Sequence, residues 1–430
     1  MRSPATAECH RRVLMVAPTS FFADYGCHVR ILEESRVLQK LGHSVTIVTY
    51  YKGRNLPDLE IVRTRPVPWR EEYEVGSSRH KIGFDVLLTW KAFQVVMRRR
   101  FDLIHAHLHE GALIGSVLAK IGRIPLVFDF QGSLTAEMVD HNFLNRNGLW
   151  YKPALWLEKR INRRPQAILT SSRHAADLLD REFRLETQRI HPVPDAVNLE
   201  FFRPDCLSSA ERTASKAALG IPAERPVVVY LGLLTDYQGT DKLLHAAAEL
   251  RRRSVDVHFL IMGYPGVGRY HQMAMDLGLG GWVTFTGRIP YEQAPQHLAL
   301  GDIAVAPKLS ATEGSGKILN YMAMELPTVA FDVPVSREFL DNLGTYAEPG
   351  SHHSLADSIQ SLLADPDSAR SLGQRLRQRA AEQYSWEQAG LHIVSVYERL
   401  IHTAKTPQAQ RRREIAASRS QAEQGEGEQP

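Results

Sequence analysis

The sequence predicts an α/β protein with two open parallel sheets in tandem. Short apolar runs alternate with amphipathic segments along most of the chain, which is typical of βαβ units with right-handed crossovers. The alternation is interrupted by a stretch containing Pro and Asn, Val193–Pro204, and then resumes. At 430 residues the chain also exceeds the size at which a single hydrophobic core keeps growing.

The first series of elements occupies residues 12–203 and follows an N-terminal extension, residues 1–11. The first helix of this series places apolar side chains near one face and ends at Gly42. The predicted strands are Val13–Ala17, Val45–Tyr50, Leu103–His105, Leu126–Phe130 and Ala167–Thr170, and the predicted helices are Val29–Leu41 and Ala112–Lys120.

The second series occupies residues 204–385 and opens with a polar, Ala-rich segment, Cys206–Gly220. The predicted strands are Val227–Leu231, Val257–Met262, Val283–Thr286, Ile303–Pro307 and Thr328–Phe331, and the predicted helices are Lys242–Arg253, Lys317–Met324 and Leu355–Tyr384. A further amphipathic helix is predicted over 386–402. Residues 403–430 contain almost no large apolar side chains, so we expect a disordered tail.

Composition excludes several classes of protein. The formal net charge is +4 and both signs are intermixed, so no nucleic-acid partner is expected. Three scattered cysteines without a C-x-x-C pair, Cys9, Cys27 and Cys206, argue against a disulfide framework or a structural zinc site. The apolar run Val13–Ala17 is too short for a signal peptide, and no run approaches the ~20 residues of a membrane span. We expect a cytoplasmic protein whose membrane contact, if it has one, is peripheral at the inner face.

Two loops that follow predicted strands are candidate phosphate sites, because open α/β sheets bind ligands at the carboxyl ends of their strands. In Pro18–His28, Gly26 precedes a helix and lets backbone amides approach a phosphate; an ordinary βα turn is the alternative. In Thr312–Tyr321, two glycines, the start of a helix and Lys317 converge on a diphosphate site. The alternative there is a glycine-rich loop capped by Thr312, with Lys317 in solvent.

Two other patterns leave alternatives open. His105, His107 and His109 alternate along a strand that leads into a loop with no carboxylate cluster, so no metal site is predicted. Residues 79–100 combine basic and aromatic side chains in a helical pattern. Such a helix fits an anionic membrane surface, or it packs on the core with its basic side chains in water, and we favour the second interpretation.

Four stretches carry a family resemblance: Gly42–Thr49, Phe101–His107, Tyr230–Gly239 and Asn320–Val329. They resemble, in that order, the second-strand entry, the strand before the central helix, the opening of the C-terminal domain and the signature helix of the GT4 family of retaining glycosyltransferases. The resemblance implies a GT-B fold, in which two Rossmann-like domains face each other across a cleft. It also implies that 12–203 binds the acceptor, that 204–385 binds the nucleotide-sugar, and that 386–402 crosses back to the first domain.

The resemblance implies roles for two residues of the second loop. The family commonly has two glutamates separated by seven residues, the first contacting the donor sugar and the second the nucleotide ribose. Here Asn320 stands at the second position, and its amide can hydrogen-bond a ribose hydroxyl. Glu313 lies one residue closer than the usual spacing, and we expect it to reach the sugar hydroxyls.

The family also places an arginine and a lysine where this chain has Leu233, after Gly232, and Gln238. A leaving diphosphate still needs its charge stabilised, so this role is expected to pass to Lys317, Lys308 and the amides of residues 314–317. On the acceptor side, Gln131 stands where the family often has a histidine. Gln131 cannot act as a base and is expected to orient hydroxyls. The implied transfer occurs on one face of the sugar without an enzymic nucleophile.

The sequence therefore predicts an acceptor-dependent glycosyltransferase with a nucleotide-sugar as co-substrate, no metal or other cofactor, and a saccharide, lipid-linked or small-molecule acceptor. An epimerase or hydrolase on the same fold and a non-catalytic sugar-nucleotide-binding module are the rivals. The predicted catalytic residues are Glu313, Lys317 and Gln131. The predicted donor-binding residues are Gly26, Gly232, Leu233, Gln238, Lys308, Thr312, Gly314, Ser315, Gly316 and Asn320.

Overall fold

The computed structural model describes residues 10–23, 26–66, 81–140, 143–310 and 314–403. Within them, the strands form one sheet of seven and one of six, and all strand pairs in both sheets are parallel. The predicted tandem α/β architecture is confirmed.

The N-terminal sheet has the strand order β3-β2-β1-β4-β5-β6-β7. Its strands are β1 (Arg12–Ala17), β2 (Ser44–Thr49), β3 (Glu60–Arg63), β4 (Leu103–His107), β5 (Leu126–Phe130), β6 (Ala167–Thr170) and β7 (Ile190–Pro192). The helices that belong to it are α1 (Gly26–Lys40), α2 (Lys81–Arg98), α3 (Leu108–Gly122), α4 (Leu134–Asp140), α5 (Tyr151–Asn162) and α6 (Arg173–Arg181). The residues of β4 and β5 are buried throughout, as expected for central parallel strands covered on both faces.

The C-terminal sheet has the order β10-β9-β8-β11-β12-β13. Its strands are β8 (Val227–Leu231), β9 (His258–Met262), β10 (Val283–Gly287), β11 (Ile303–Ala306), β12 (Thr328–Phe331) and β13 (Thr345–Ala347). Its helices are α7 (Ser209–Ala218), α8 (Thr240–Arg252), α9 (Val267–Asp276), α10 (Ala294–Leu298), α11 (Gly316–Ala323), α12 (Pro334–Leu340), α13 (His352–Ala364) and α14 (Pro366–Gln383), and a last helix, α15, covers 386–403.

Each predicted strand is present within two residues of its predicted ends. One helix prediction was wrong. Leu355–Tyr384 is two helices, because Pro366 lacks an N–H and begins α14 instead of continuing α13. The polar segment Cys206–Gly220 contains α7, whose start is fixed by a capping box between Ser208 and Glu211. The boundary predicted at residues 203/204 falls between β7 and α7, and its exact position stays a prediction.

Helix α15 returns to the N-terminal domain, as the family resemblance implied. Glu398 accepts two hydrogen bonds from the guanidinium of Arg11, which precedes β1. Tyr397 is fully buried, and its hydroxyl lies 2.7 Å from Nδ1 of His105 on β4. The last helix, which follows the C-terminal domain in the chain, therefore packs against the N-terminal domain.

Helix α2 half-buries a carboxylate against the N-terminal sheet, and this predicts a pH effect. Tyr50 donates a 2.6 Å hydrogen bond to Asp85, and burial raises the pKa of Asp85 to about 6. A raised carboxyl pKa contributes stability that is complete at low pH and is lost as the pH rises through about 6. We expect Asp85→Asn, which keeps an acceptor for Tyr50, to raise the free energy of unfolding by up to ~3 kcal/mol near pH 8. Near pH 4 the effect should be small. Urea unfolding at both pH values checks this, and equal stability of the two proteins near pH 8 contradicts it.

Candidate active site

The two sheets face each other across a cleft of about 750 Å³. Its lining follows the carboxyl ends of strands in both domains, which is where open α/β sheets bind ligands. Gln131 and Asp195 come from loops after β5 and β7, and Gly232 and Lys308 come from loops after β8 and β11. The volume lies within the range of small-molecule and cofactor sites.

Helix α11 points its N-terminus into this cleft. Gly314, Ser315 and Gly316 all line it, and the helix begins at Gly316 with Ser315 as its N-cap. The first N–H groups of a helix have no acceptor within the helix and carry the positive end of its dipole. A Cβ atom at position 314 would lie 2.5 Å from Oδ2 of Asp195, so glycine lets this turn approach the opposite domain. The turn is suited to an anion.

Lys317, in the first turn of α11, is held in the cleft by two neighbours. Its Nζ donates a 2.8 Å hydrogen bond to Gln238 and a 3.2 Å hydrogen bond to the hydroxyl of Tyr230. The ammonium also lies 4.4 Å from the centre of the Tyr230 ring. A Cβ at position 232 would lie 2.5 Å from this Nζ, so Gly232 leaves room for it. Gln238, at the position where the family has a lysine, thus positions a lysine from another element.

Lys308 has a different environment. Its side chain is buried, and its Nζ donates a 2.7 Å hydrogen bond to the carbonyl oxygen of Gly314. This contact links the beginning of the connection between β11 and α11 to its end. The geometry therefore supports a role for Lys308 in shaping the turn, in addition to its charge.

On the opposite wall, Arg30 of α1 organises the polar groups. Its guanidinium donates to both carboxylate oxygens of Asp129 and, at 2.9 Å, to Asp195. Burial by itself would raise the pKa of Asp129, but Arg30 and His107 outweigh it and hold the pKa well below its usual range. Gln131 donates a 2.7 Å hydrogen bond to the same carboxylate, which orients its amide. Asp129 is itself a buried residue of β5.

Asp195 lines the cleft itself, whereas Asp129 does not. Burial raises its pKa, and Arg30 offsets part of that effect. Its Oδ2 faces the turn at Gly314. Sequence reasoning missed both Asp195, which lies in the stretch interpreted as an interdomain linker, and Arg30, which follows the loop ending at His28. The available signal for Arg30 was its position at the start of the first predicted helix, whereas Asp195 follows β7, a strand that was not predicted.

Eleven of the thirteen predicted site residues lie in the described part of the chain, and all eleven line this one cleft: Gly26, Gln131, Gly232, Leu233, Gln238, Lys308, Gly314, Ser315, Gly316, Lys317 and Asn320. Thr312 and Glu313 lie outside the described residues. The roles assigned to these thirteen residues stay predictions.

The three alternating histidines lie in two different environments. His105 and His107 lie beneath the cleft beside two buried carboxylates, Glu34 and Asp129. These carboxylates come from α1 and β5, distant parts of the chain, and not from the loop to which the prediction referred. His109 lies elsewhere, 3.5 Å from Glu158.

The domains also contact each other around the cleft. The hydroxyl of Tyr264 donates a 2.9 Å hydrogen bond to the carbonyl of Ala23, in the loop after β1. Ser310 donates a 2.9 Å hydrogen bond to Asp140 at the end of α4. These contacts link loops of the two domains beside the cleft.

Comparison with known proteins agrees with this architecture. Residues 26–201 match the model of Glycosyltransferase Family 4, and residues 211–379 match that of Glycosyl transferases group 1. The α-D-kanosaminyltransferase of Streptomyces kanamyceticus is 27% identical over 300 residues, covering 68% of this chain and 76% of that protein.

The MMP α-(1→4)-mannosyltransferase of Mycolicibacterium hassiacum is 28% identical over 418 residues, covering 87% of this chain and 94% of that protein. Among solved structures, sucrose-phosphate synthase from Thermosynechococcus elongatus superposes with a TM-score of 0.77 at 20% identity, covering 92% of this chain and all of that one. The chain is therefore a GT-B glycosyltransferase and belongs to the GT4 family, glycosyltransferase group 1.

Proposed function

We propose that this enzyme transfers a sugar, with retention of anomeric configuration, from a nucleotide-diphosphate sugar to a lipid-linked acceptor at an anionic membrane surface. The observation that carries the transfer chemistry is the N-terminus of α11 with Lys317, which faces Gln131 and Asp195 across the cleft. An anion-binding wall thus lies opposite a wall of hydroxyl-binding groups.

The diphosphate of the donor lies against the N–H groups of the Gly314–Gly316 turn, and Lys317 neutralises the charge that develops as the bond breaks. Asn320, one turn further along α11 on the cleft side, contacts the nucleotide ribose. Glu313, next to this turn in sequence, contacts the donor sugar. The turn amides and Lys317 supply the stabilisation of the diphosphate charge that the arginine and lysine supply in other family members.

In the reaction, the bond between C1 of the sugar and the diphosphate oxygen breaks, and its electron pair stays on that oxygen. The acceptor hydroxyl forms the new C1–O bond on the same face, and its proton passes to the leaving phosphate. Gln131, held by Asp129, orients hydroxyls at this face, and Asp195 accepts a hydrogen bond from one of them. Closure of the two domains excludes water and disfavours hydrolysis.

A surface of three neighbouring helices, α2, α3 and α5, supports a membrane-bound acceptor. Part of α2 packs on the core, but Ile82, Trp90 and Met97 are 73%, 61% and 63% exposed. The exposed apolar side chains on or next to the other two helices are Val117, Ile121, Leu149, Trp150, Trp156 and Leu157. The favoured interpretation of 79–100, apolar side chains inside and basic ones in water, thus describes only one face of α2.

The charges of this surface suit anionic lipids. Helices α2, α3 and α5 contain one acidic residue each, and all three are wholly or partly buried: Asp85, Glu110 and Glu158. Basic side chains of these helices include Lys91, Arg98, Lys120, Lys152 and Arg160. Basic and aromatic side chains together are typical of peripheral binding to anionic membranes. None of the described helices combines the length and apolarity needed to cross a bilayer.

A screen of UDP-, GDP- and ADP-sugars by thermal shift tests the donor assignment, because a ligand that binds only the folded chain raises the melting temperature. NMR of the product formed from the selected donor then reports its anomeric configuration. Retention is expected, and an inverted product overturns the proposed reaction.

The membrane assignment predicts an effect of removing the exposed apolar anchors. We expect Trp90→Ser combined with Met97→Ser to weaken binding to phosphatidylglycerol-containing vesicles by at least ~10-fold in a sedimentation assay, because each side chain loses apolar burial in the interface. Met275→Ser removes a comparably exposed side chain, 52% exposed on α9 of the other domain, and should leave binding unchanged. Equal binding of wild-type protein to neutral and anionic vesicles contradicts the assignment.

A further inference from the structure

A buried polar cluster lies beneath the cleft, outside the residues that line it. Glu34 of α1 and His105 and His107 of β4 have fully buried side chains. One ligand atom from each of them, and one from Asp129, all lie within 4.8 Å of one another. These residues come from α1, β4 and β5, so the fold itself brings them together.

The hydrogen bonds of the cluster define what its inward-facing atoms can do. Nδ1 of His107 lies 3.1 Å from Oδ2 of Asp129, a carboxylate that Arg30 keeps ionised. An ionised carboxylate only accepts hydrogen bonds, so Nδ1 carries a proton, and in the neutral ring Nε2 of His107 is an acceptor. Nδ1 of His105 lies 2.7 Å from the hydroxyl oxygen of Tyr397, and the tautomer in which Nδ1–H donates to that oxygen leaves Nε2 of His105 as an acceptor.

Both Nε2 atoms face the same oxygen. Oε2 of Glu34 lies 3.7 Å from Nε2 of His105 and 4.0 Å from Nε2 of His107. Within the described residues none of these three atoms has a hydrogen-bond partner. The other oxygen of Glu34 is ion-paired with Arg30 at 3.1 Å. Three polar atoms without a hydrogen-bond partner among the described residues thus converge on one point in a buried place, where unsatisfied polar atoms are costly and need an explanation.

The separations are too long for a shared proton, since hydrogen bonds with nitrogen donors span about 2.7–3.2 Å. They match ligands of one ion, because two metal bonds of about 2.0–2.2 Å can span up to about 4 Å. A cation bound to Oε2 would also offset the burial of the Glu34 carboxylate, which Arg30 contacts only through its other oxygen.

We propose that Glu34, His105 and His107 bind a divalent transition metal through Oε2 and the two Nε2 atoms. Two imidazoles and one carboxylate favour Zn²⁺. Asp129 and Tyr397 fix the orientation of the two rings through Nδ1, as outer partners of metal-bound histidines commonly do. The ion joins α1 to β4 and, through Tyr397, to α15. Its role is structural, because the cluster lies behind the wall of the cleft.

Metal analysis of the full-length protein tests the proposal without reference to activity. Protein stripped with a strong chelator and titrated with Zn²⁺ is expected to retain about one ion per chain after gel filtration and to regain a higher melting temperature. Co²⁺ in place of Zn²⁺ should give the visible absorption of a site with nitrogen and oxygen ligands. This measurement needs no variant, so it stands even if a variant fails to fold.

Variants separate this site from adventitious binding. We expect Glu34→Gln to lower retained Zn²⁺ at least ~10-fold. Even the loss of an outer partner of a metal ligand typically lowers affinity by about 10- to 100-fold, and Glu34 is itself a proposed ligand. His109→Gln, which changes the third histidine of the same run, and His352→Ala, which disrupts a surface histidine group, should retain the ion. Wild-type protein that is folded, takes up neither Zn²⁺ nor Co²⁺ and melts at the same temperature with or without chelator overturns the proposal. So does a Glu34→Gln variant that still binds one ion per chain.

Discussion

Replacing Lys317 by alanine is expected to lower turnover by at least ~100-fold, the loss typical of removing one group that stabilises a developing oxyanion. Lys317 is the cation at the N-terminus of α11, and Gln238 and Tyr230 hold its Nζ over the cleft. Leu233 and Gln238 stand where the family resemblance implied an arginine and a lysine, so we expect this ammonium to carry a larger share of the diphosphate charge. Steady-state rates of nucleoside diphosphate release measure the effect.

Lys242→Ala is a matched control, because this lysine belongs to α8 of the same domain and lies outside the cleft, paired with Asp241 at 3.0 Å. It should leave turnover within about twofold of wild type, as exposed charges contribute little. Circular dichroism and melting temperature verify that both variants are folded. Lys317→Ala with wild-type turnover would remove the diphosphate assignment.

Replacing Arg30 by methionine is expected to destabilise the N-terminal domain by ~3–5 kcal/mol. Arg30 is 3% exposed and contacts three carboxylates, those of Glu34, Asp129 and Asp195. Methionine preserves much of the side chain's volume but leaves these carboxylates without their cation in a buried environment. The free energy of unfolding in urea near neutral pH measures the change.

Arg36→Met provides the comparison on the same helix. Arg36 pairs with Asp58 at 2.8 Å, and both side chains are substantially exposed, so its loss should cost no more than ~1 kcal/mol. If Arg30→Met costs no more than Arg36→Met, the buried ion network does not organise this wall of the cleft.

Strands and their order along the chain could be predicted because buried parallel strands form continuous apolar runs, as Val227–Leu231 and Ile303–Ala306 do. The edge strands β3, β7 and β13 were missed. They have only three or four residues each, and none of these three strands is buried throughout, so they leave little periodic signal. Local turn chemistry also decided the break between α13 and α14, where Pro366 prevailed over a continuous helical pattern.

The donor wall of the site was predictable for a related reason. Gly314, Gly316 and Lys317 lie together in sequence, so one loop and one helix start are enough to bring them together. The opposite wall was not predictable in this way. Arg30, Asp129 and Asp195 are far apart along the chain, and their ion pairs exist only because α1, β5 and the loop after β7 meet at one edge of the sheet.

The measurement that tests the central account most directly is the rate of nucleoside diphosphate release from the selected donor with and without an acceptor. We expect release that depends on an added saccharide or lipid-linked acceptor. Lys317→Ala should lower this release to about 1% of the wild-type rate or less. Release at the same rate without any acceptor would indicate a hydrolase, and tight donor binding without turnover under either condition would indicate a binding module. Either result would contradict the account.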